Sequence, residues 1–250
     1  MIRLVDDALV EQYMSFCADK PFGIRMAAAL KSYGTDCSFA DFWLVFDDDA
    51  VVGAISKLDG DLTLCVDGAI DEVLAFIDTI GYQTLTAEKE LLCRIGFDEL
   101  SGEGAIMQYI SADSVESHLA IDTTPSIMSA CRLLCECEGE SIKIGQPDRF
   151  YTDLSLRVRR NTALCYAFED KGVAIASAIT EYGAIIGGVA VRQNERKNGI
   201  GSALVKGLVS DLPRDKKIYL LRLENENESF YKGLGFENVG GWASISRGCE

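Results

Sequence analysis

Ala184-Ile-Ile-Gly-Gly-Val-Ala-Val-Arg-Gln-Asn-Glu-Arg-Lys-Asn-Gly-Ile-Gly-Ser202 is the stretch whose reading decides the fold. Its first part, residues 184–191, is apolar and β-branched, the composition of a buried strand. Residues 192–198 make a polar turn. Gly199-Ile200-Gly201-Ser202 then opens a helix whose apolar stripe is Ile200, Leu204, Val205, Leu208 and Val209. The order is strand, basic glycine-containing loop, helix start. A helix start carries unpaired N–H groups and partial positive charge, which favours an anion. Glycines at 199 and 201 let a phosphate reach those groups with no Cβ in the way. Arg196 and Lys197 add charge at the same mouth. The stretch therefore predicts a ligand that carries phosphate. It has neither the GxxxxGK[ST] spacing nor the GxGxxG fingerprint, since position 204 is Leu.

Working outward, the glycine pair Gly187-Gly188 lies inside the strand. Glycine there marks a bulge or a close backbone approach, or a twisted strand packed with small residues. A bulge would free N–H groups near Val189 and Val191. Downstream, residues 218–223 read as another strand, and residues 227–234 as a short helix ended by Gly235-Phe236.

Val191, Arg196, Gly199 and Gly201 stand in the register of motif A of the GNAT superfamily, the N-acetyltransferases that use acetyl-CoA. That motif has a Val followed, five residues on, by Arg-x-x-Gly-x-Gly/Ala, and this stretch resembles it. The resemblance implies that the backbone of Val189, Ala190 and Val191 receives the pantetheine arm and thioester. It implies that Arg196, Lys197, Asn198, Gly199, Ile200, Gly201 and Ser202 hold the pyrophosphate. Residues 225–236, Asn-Glu-Asn-Glu-Ser-Phe-Tyr-Lys-Gly-Leu-Gly-Phe, resemble the family's motif B. Tyr231 falls on its tyrosine, taken to protonate the departing CoA thiolate. A phenol of ordinary pKa about 10 keeps its proton at neutral pH and can serve as a general acid. Tyr231 also has the spacing of a core residue. An Asn ahead of this helix contacts CoA in the family. The spacing does not decide between Asn225 and Asn227, and Asn227 enters the candidate set. For the general base, Glu181 at the turn into the central strand is the nearest candidate. Glu224, Glu226 or a water chain could also serve, and each carboxylate also suits ordinary surface charge.

Residues 1–110 read as strand, two helices, three strands, helix, strand, helix, strand. Residues 118–246 repeat much of that order. The resemblance therefore implies an α+β fold of two tandem GNAT-like domains, each a mostly antiparallel sheet flanked by helices. The expected boundaries are 1–110 for a degenerate GNAT-like domain, 111–139 for a linker and leading helix, and 140–250 for the domain that binds acetyl-CoA. The first half keeps an echo in Gly96-Phe97, but no RxxGxG follows its strand at residues 62–66. Val66-Asp67-Gly68-Ala69-Ile70-Asp71 runs almost straight into a helix, and the groups there are acidic. That half is expected not to bind CoA.

Composition narrows the rest. The chain of 250 residues is 48% hydrophobic and 25% charged, as in a soluble globular protein. No apolar run approaches the roughly 18 residues that span a membrane. The N-terminus lacks the pattern of a signal peptide, so a cytoplasmic location is expected. The nine cysteines are odd in number and mostly set in apolar segments, which reads as reduced thiols. Cys131, Cys135 and Cys137 could form a metal or redox site, but without a second ligand pair they read as small helix residues, and no metal is expected. The single histidine, His118, sits in the expected linker and disfavours Ser-His-Asp or Cys-His chemistry. Residues 1–110 hold 7 Lys+Arg against 20 Asp+Glu, and residues 111–250 hold 17 against 19. Such a chain repels nucleic acid. The acidic bias could draw a cationic acceptor toward a cleft, although solvated surface is its default reading.

The function that follows is transfer of an acetyl group from acetyl-CoA to a primary amine of a small cationic acceptor, by direct attack. The alternatives are a non-catalytic CoA-binding regulator and an acyltransferase that uses longer acyl-CoA. A monomer or homodimer is expected, with no nucleic-acid or membrane partner.

Overall fold

The computed structural model describes residues 1–111, 119–137, 146–212, 215–224 and 226–247. The elements of the first half are β1 (Ile2–Leu4), α1 (Val10–Cys17), α2 (Pro21–Tyr33), β2 (Ala40–Asp47) and β3 (Ala50–Leu58). They continue with β4 (Asp61–Val66), α3 (Ile70–Ile80), β5 (Thr84–Glu88), α4 (Lys89–Arg94) and β6 (Gly102–Tyr109). The second half has α5 (Ile127–Glu136), α6 (Pro147–Arg159), β7 (Leu164–Phe168), β8 (Gly172–Ile179) and β9 (Gly183–Val191). It ends with α7 (Ile200–Asp211), β10 (Lys217–Leu223), α8 (Glu228–Lys232) and β11 (Phe236–Ser246).

These elements form two compact units, Met1–Ile106 with Val239–Glu250, and Met107–Asn238. The sequence boundaries put residues 140–250 together. The contacts group Val239–Glu250 with the first unit, because Trp242–Ser246 of β11 pair antiparallel with Thr84–Glu88. The first unit's strands run β1-β2-β3-β4-β5-β11, parallel only at β4–β5. The second unit's run β10-β9-β8-β7, parallel only at β9–β10. Each unit is thus a mostly antiparallel sheet with one parallel pair, flanked by helices. The hairpin turns are set by residues that tolerate left-handed backbone: Asp48 and Asp59 sit at φ +49° and +54°.

The second unit has a core on each face of its sheet. On one face, α5 and α6 contribute Ala130, Cys131, Leu134 and Leu154 against Cys165, Val173, Ile175 and Ala190. On the other, Ile200, Leu204 and Leu208 of α7 pack on Tyr166, Ala174 and Ala176. This is the helix stripe expected from the sequence, now with its partner.

Asp6 does not cap α1: its carboxylate accepts from Ala8 and Leu9 N–H at 3.1 and 3.2 Å, in a turn that precedes the helix. Pro125 does not start α5: Ser126 is the cap, its Oγ accepting from Ser129 N–H at 3.3 Å. Residues 119–123 make a single bridge, Asp122 with Ala167, and His118 lies outside the described residues. No helix among the described residues is long and apolar enough to cross a membrane.

Candidate functional site

The site begins with a break in register. Ile175 of β8 stands opposite Gly188, but Ala176 stands opposite Ile186, so Gly187 is an extra residue in β9. On β8, Ala176 pairs with Ile186 and Ala178 with Ile185, which makes Ser177 the compensating extra residue. The two bulges face each other. A Cβ on residue 187 would lie 2.2 Å from Ser177 Oγ and 2.5 Å from its Cβ, so only glycine fits. The bulge expected at Gly187-Gly188 is thus centred on Gly187.

An added residue turns the alternation of side chains over. Ala184 and Ile186 pack with Val205 of α7, and beyond the bulge Val189 and Val191 pack on the α7 face as well. Ala190 instead joins the α5–α6 core. Gly188 lies under α5, where a Cβ would meet Leu134 Cδ2 at 3.8 Å.

The same bulge marks where β9 and β10 part. Their parallel register runs from Lys217 opposite Gly183 to Leu220 opposite Ile186, and among the described residues it goes no further. Arg192 N–H donates to Lys171 O at 2.9 Å, on the β8 side. Alternation along the strand then sends the N–H groups of Val189 and Val191 to the edge that β10 has left.

That edge leads into the loop. A short 3-10 turn, Gln193–Glu195, is followed by Lys197 at φ +68° and by Gly199 at φ +78°, the cap residue of α7. A Cβ at Gly199 would touch nothing within 4 Å, so its glycine is required by backbone conformation, not by space. Lys197 has no such excuse, and the left-handed region costs an ordinary side chain about 1–2 kcal/mol. The first helical bond of α7 is Ala203 N–H to Gly199 O at 2.9 Å. Ahead of it, the N–H groups of Lys197 through Ser202 bond to no other described residue. The sequence reading assigned Gly201 to phosphate access. A Cβ there would lie 3.4 Å from Phe230 and 3.6 Å from Val191, both ordinary contacts, so packing alone does not demand glycine at this position.

The basic groups divide into two kinds. Arg192, which the sequence reading passed over, is structural. Its Nη1 pairs with Glu136 of α5 at 2.6 Å, and its Nε donates to Asp170 O at 2.5 Å. Arg196 and Lys197 are exposed and make no ion pair among the described residues. Arg196 Nε folds back onto Val191 O at 3.1 Å.

Tyr231 belongs to the apolar cluster that also contains Val189 and Phe230. Its ring meets Phe230 at 5.0 Å and Phe236 at 6.1 Å, both edge to face. Burial pushes its phenol up to about 12, so it keeps its proton throughout the neutral range. Tyr231 N–H donates to Asn227 O at 3.1 Å, and Asn227 is an exposed left-handed residue at φ +54°. Asn225 lies outside the described residues.

α8 buries no residue of its own and is held by charge. Glu228 receives Arg222 Nη2 at 3.0 Å, Lys232 Nζ at 2.7 Å and Asn238 Nδ2 at 3.3 Å. The Lys232 contact holds its carboxyl below the usual range. Arg222, 7% exposed at the parted end of β10, also donates from Nη1 to Leu223 O at 3.1 Å. Sequence reasoning missed it. The available signal was an arginine inside the apolar run of residues 218–223.

Glu181 is not brought to this place. It sits in the β8–β9 turn, where Thr180 Oγ1 accepts from Tyr182 and Gly183 N–H, each at 3.2 Å. At about 3.3 Å per residue, the start of β9 at Gly183 is about 13 Å along the strand from Gly187, and Glu181 lies in the turn before it. Glu224 and Glu226 lie between β10 and α8, at the same end as Tyr231, the first exposed and the second half-buried.

The thiols on this side are quiet. Cys131 and Cys165 lie in the α5–α6 core, where burial pushes them up to about 11 and about 12. No group of metal-binding side chains forms among the described residues.

The first unit shows what a closed version looks like. Its parallel register ends at Thr63 opposite Thr86, but Leu64, Cys65 and Val66 beyond it are all buried. Asp67 and Gly68 N–H donate to Val52 O at 2.7 and 3.3 Å, and Ala69 opens α3 directly. Lys20 pairs with Asp67 at 2.6 Å. Amides that stay open in the second unit are already used here, and no loop separates strand from helix.

Residues 161–238 match the family model of the acetyltransferase (GNAT) domain. No curated protein sequence matches the chain. A tandem GNAT protein from the clavulanic acid biosynthesis pathway superposes with a TM-score of 0.61 at 17% identity, covering 100% of both chains. An acetyltransferase of the GNAT family from Colwellia psychrerythraea gives 0.59 at 12% identity, covering 98% of this chain and 99% of that one.

Proposed function

We propose that this chain, which has the tandem GNAT fold and matches the GNAT acetyltransferase domain model over residues 161–238, moves an acetyl group from acetyl-CoA to a primary amine of a small, cationic acceptor. One observation carries this reading: β9 and β10 part at the Gly187 bulge, and the freed edge runs directly into a helix start with open N–H groups.

Acetyl-CoA supplies an acyl carbonyl activated by its thiol leaving group. The residues fit such a ligand at both ends. The N–H groups of Asn198 through Ser202, unbonded among the described residues, suit a pyrophosphate, with Arg196 and Lys197 near them in the loop. The edge N–H groups of Val189 and Val191 suit an extended arm and its carbonyl. As a neutral amine attacks, Val189 N–H stabilises the negative charge that develops on the carbonyl oxygen. Tyr231 gives its phenolic proton to the sulfur as the carbon–sulfur bond breaks, its high pKa keeping that proton in place until then, and the proton that the new amide nitrogen sheds restores the phenol. Loss of the ammonium proton before attack falls to Glu226, Glu224 or water, since Glu181 stands too far away. The acidic excess of residues 1–110 favours a cationic acceptor over an anionic one.

The test is calorimetric binding of acetyl-CoA, then an amine panel followed by release of free thiol. Binding with turnover of a polyamine or amino sugar is expected. Absence of binding by any CoA ester would sink the proposal. Binding without acetylation of any amine would favour the non-catalytic reading, for which the remote position of Glu181 speaks.

A further inference from the structure

We infer that Arg222 is a positioning residue: through Glu228 it sets where α8 holds the phenol of Tyr231. The inference rests on the reading of Tyr231 as the group that protonates the leaving thiolate.

An arginine is out of keeping with its strand. Ile218, Leu220 and Arg222 alternate onto one face of β10, and the first two join the apolar cluster that contains Phe236 and, half-buried, Tyr231. Arg222 comes next, beyond the register that β10 shares with β9, and its side chain is 6% exposed. A cation that deep needs a fixed partner. Here the partner is on α8.

α8 needs that tie. It has five residues, none of them buried, and a helix so short does not persist alone. Of the three groups on Glu228, two are poorly placed to hold it. Lys232 lies on the same helix and is 56% exposed, and Asn238 is exposed as well. Both reach Oε1, whereas Arg222 Nη2 reaches Oε2 at 3.0 Å. Arg222 Nη1 donates to Leu223 O at 3.1 Å, so the guanidinium is itself fixed to the strand. Tyr231 follows Glu228 by three residues, one turn on along the same side of α8. The pair therefore clamps the turn that carries the phenol, and a small displacement of a reacting group costs rate steeply.

The test makes Arg222→Met, Arg222→Lys, Lys232→Ala and Tyr231→Phe in the full chain, and also adds Arg222→Met to Tyr231→Phe. It reads kcat and Kd for acetyl-CoA, and the ionisation of the Tyr231 phenol by NMR of ring-labelled tyrosine, its signal identified by loss in Tyr231→Phe. Arg222→Met should lower kcat about 10–10²-fold and leave the acetyl-CoA Kd within about twofold. It should bring the phenol down from about 12 toward the ordinary value of about 10, as the loosened helix lets water reach the ring. On Tyr231→Phe the same change should cost less than about threefold in kcat, because its route runs through the phenol. Lys232→Ala should move neither readout. Arg222→Lys keeps the charge without the two-ended hold and should fall between; it decides the question if Arg222→Met does not fold. A folded variant with unchanged kcat and unchanged phenol would overturn the inference and leave the acyl-CoA reading standing. Full losses on both backgrounds would do the same. Failure of every CoA ester to bind would overturn the acyl-CoA reading, and the phenol titration then decides the place of Arg222 by itself.

Discussion

Replacing Gly187 with alanine tests the bulge on which the site depends. The new Cβ would stand 2.2 Å from Ser177 Oγ and 2.5 Å from Ser177 Cβ. Rotation of the hydroxyl relieves the first contact but not the second, so β8 or β9 must shift. Overpacking of this kind costs about 1–3 kcal/mol, and a clash with an immovable Cβ belongs at the upper end. With about 2–4 °C lost per kcal/mol for chains of this size, Gly187→Ala should melt about 5–10 °C lower. Ser177→Gly removes both offending atoms, after which the nearest Ser177 atom is its Cα at 3.7 Å, an ordinary contact. Alone it costs about 0.5–1 kcal/mol for glycine in a strand. The double variant should therefore be more stable than Gly187→Ala alone, with a coupling of about 1–3 kcal/mol. Denaturant unfolding of the four proteins measures it. Additive effects within about 0.5 kcal/mol would mean that Gly187 and Ser177 do not oppose each other, and the facing bulges of β8 and β9 would be refuted.

Gly199→Asp should lower acetyl-CoA affinity by at least about tenfold, since it sets a carboxylate among amides meant for an anion. Gly199→Asn is the control. Asn tolerates the left-handed backbone and carries no charge, so it should bind within a few-fold of wild type; equal losses would point to backbone strain instead. Tyr231→Phe should reduce kcat by about 10²–10⁴ with the acetyl-CoA Kd unchanged. Because burial raises this phenol to about 12, the wild-type rate should show no falling limb from it between pH 6 and pH 10. A limb in that interval that vanishes in the variant would show the phenol to be far less shielded. Glu228→Gln should loosen α8 and lower kcat more than affinity. The Glu228 carboxyl is held below the ordinary range, so its stabilisation is present at neutral pH and lost as the pH falls through its lowered pKa. The melting difference between wild type and variant should therefore close in acid, and a gap that persists at low pH would refute this account.

Much of the fold lay near the surface of the sequence because its signals are local. The β-branched run at residues 184–191 and the stripe from Ile200 to Val209 each report their own burial. The glycine pair inside the strand pointed to the bulge, whereas the left-handed cap at Gly199 came only with the structure. Proximity along the chain misled at Glu181: it borders the central strand, yet a strand is straight, and its beginning is far from its splayed end. The place of the last strand in the first unit was illegible for a related reason. Nothing within Trp242–Ser246 tells which strand it will pair with, and the partner turned out to be β5 of the first unit.

The sequence alone determined that one strand–loop–helix in this chain carries a basic, glycine-containing loop and that its counterpart in the first half has neither the loop nor the charge. Both follow from glycine, charge and loop length, which neighbouring residues settle among themselves. Only the tertiary structure decided what stands around that loop. Ser177 answering Gly187, Arg222 buried beside Glu228, Arg192 given up to Glu136 and Leu134 lowered onto Gly188 are all contacts between residues distant in the chain. Each depends on a register or a helix placement that packing fixes, and no local pattern encodes them.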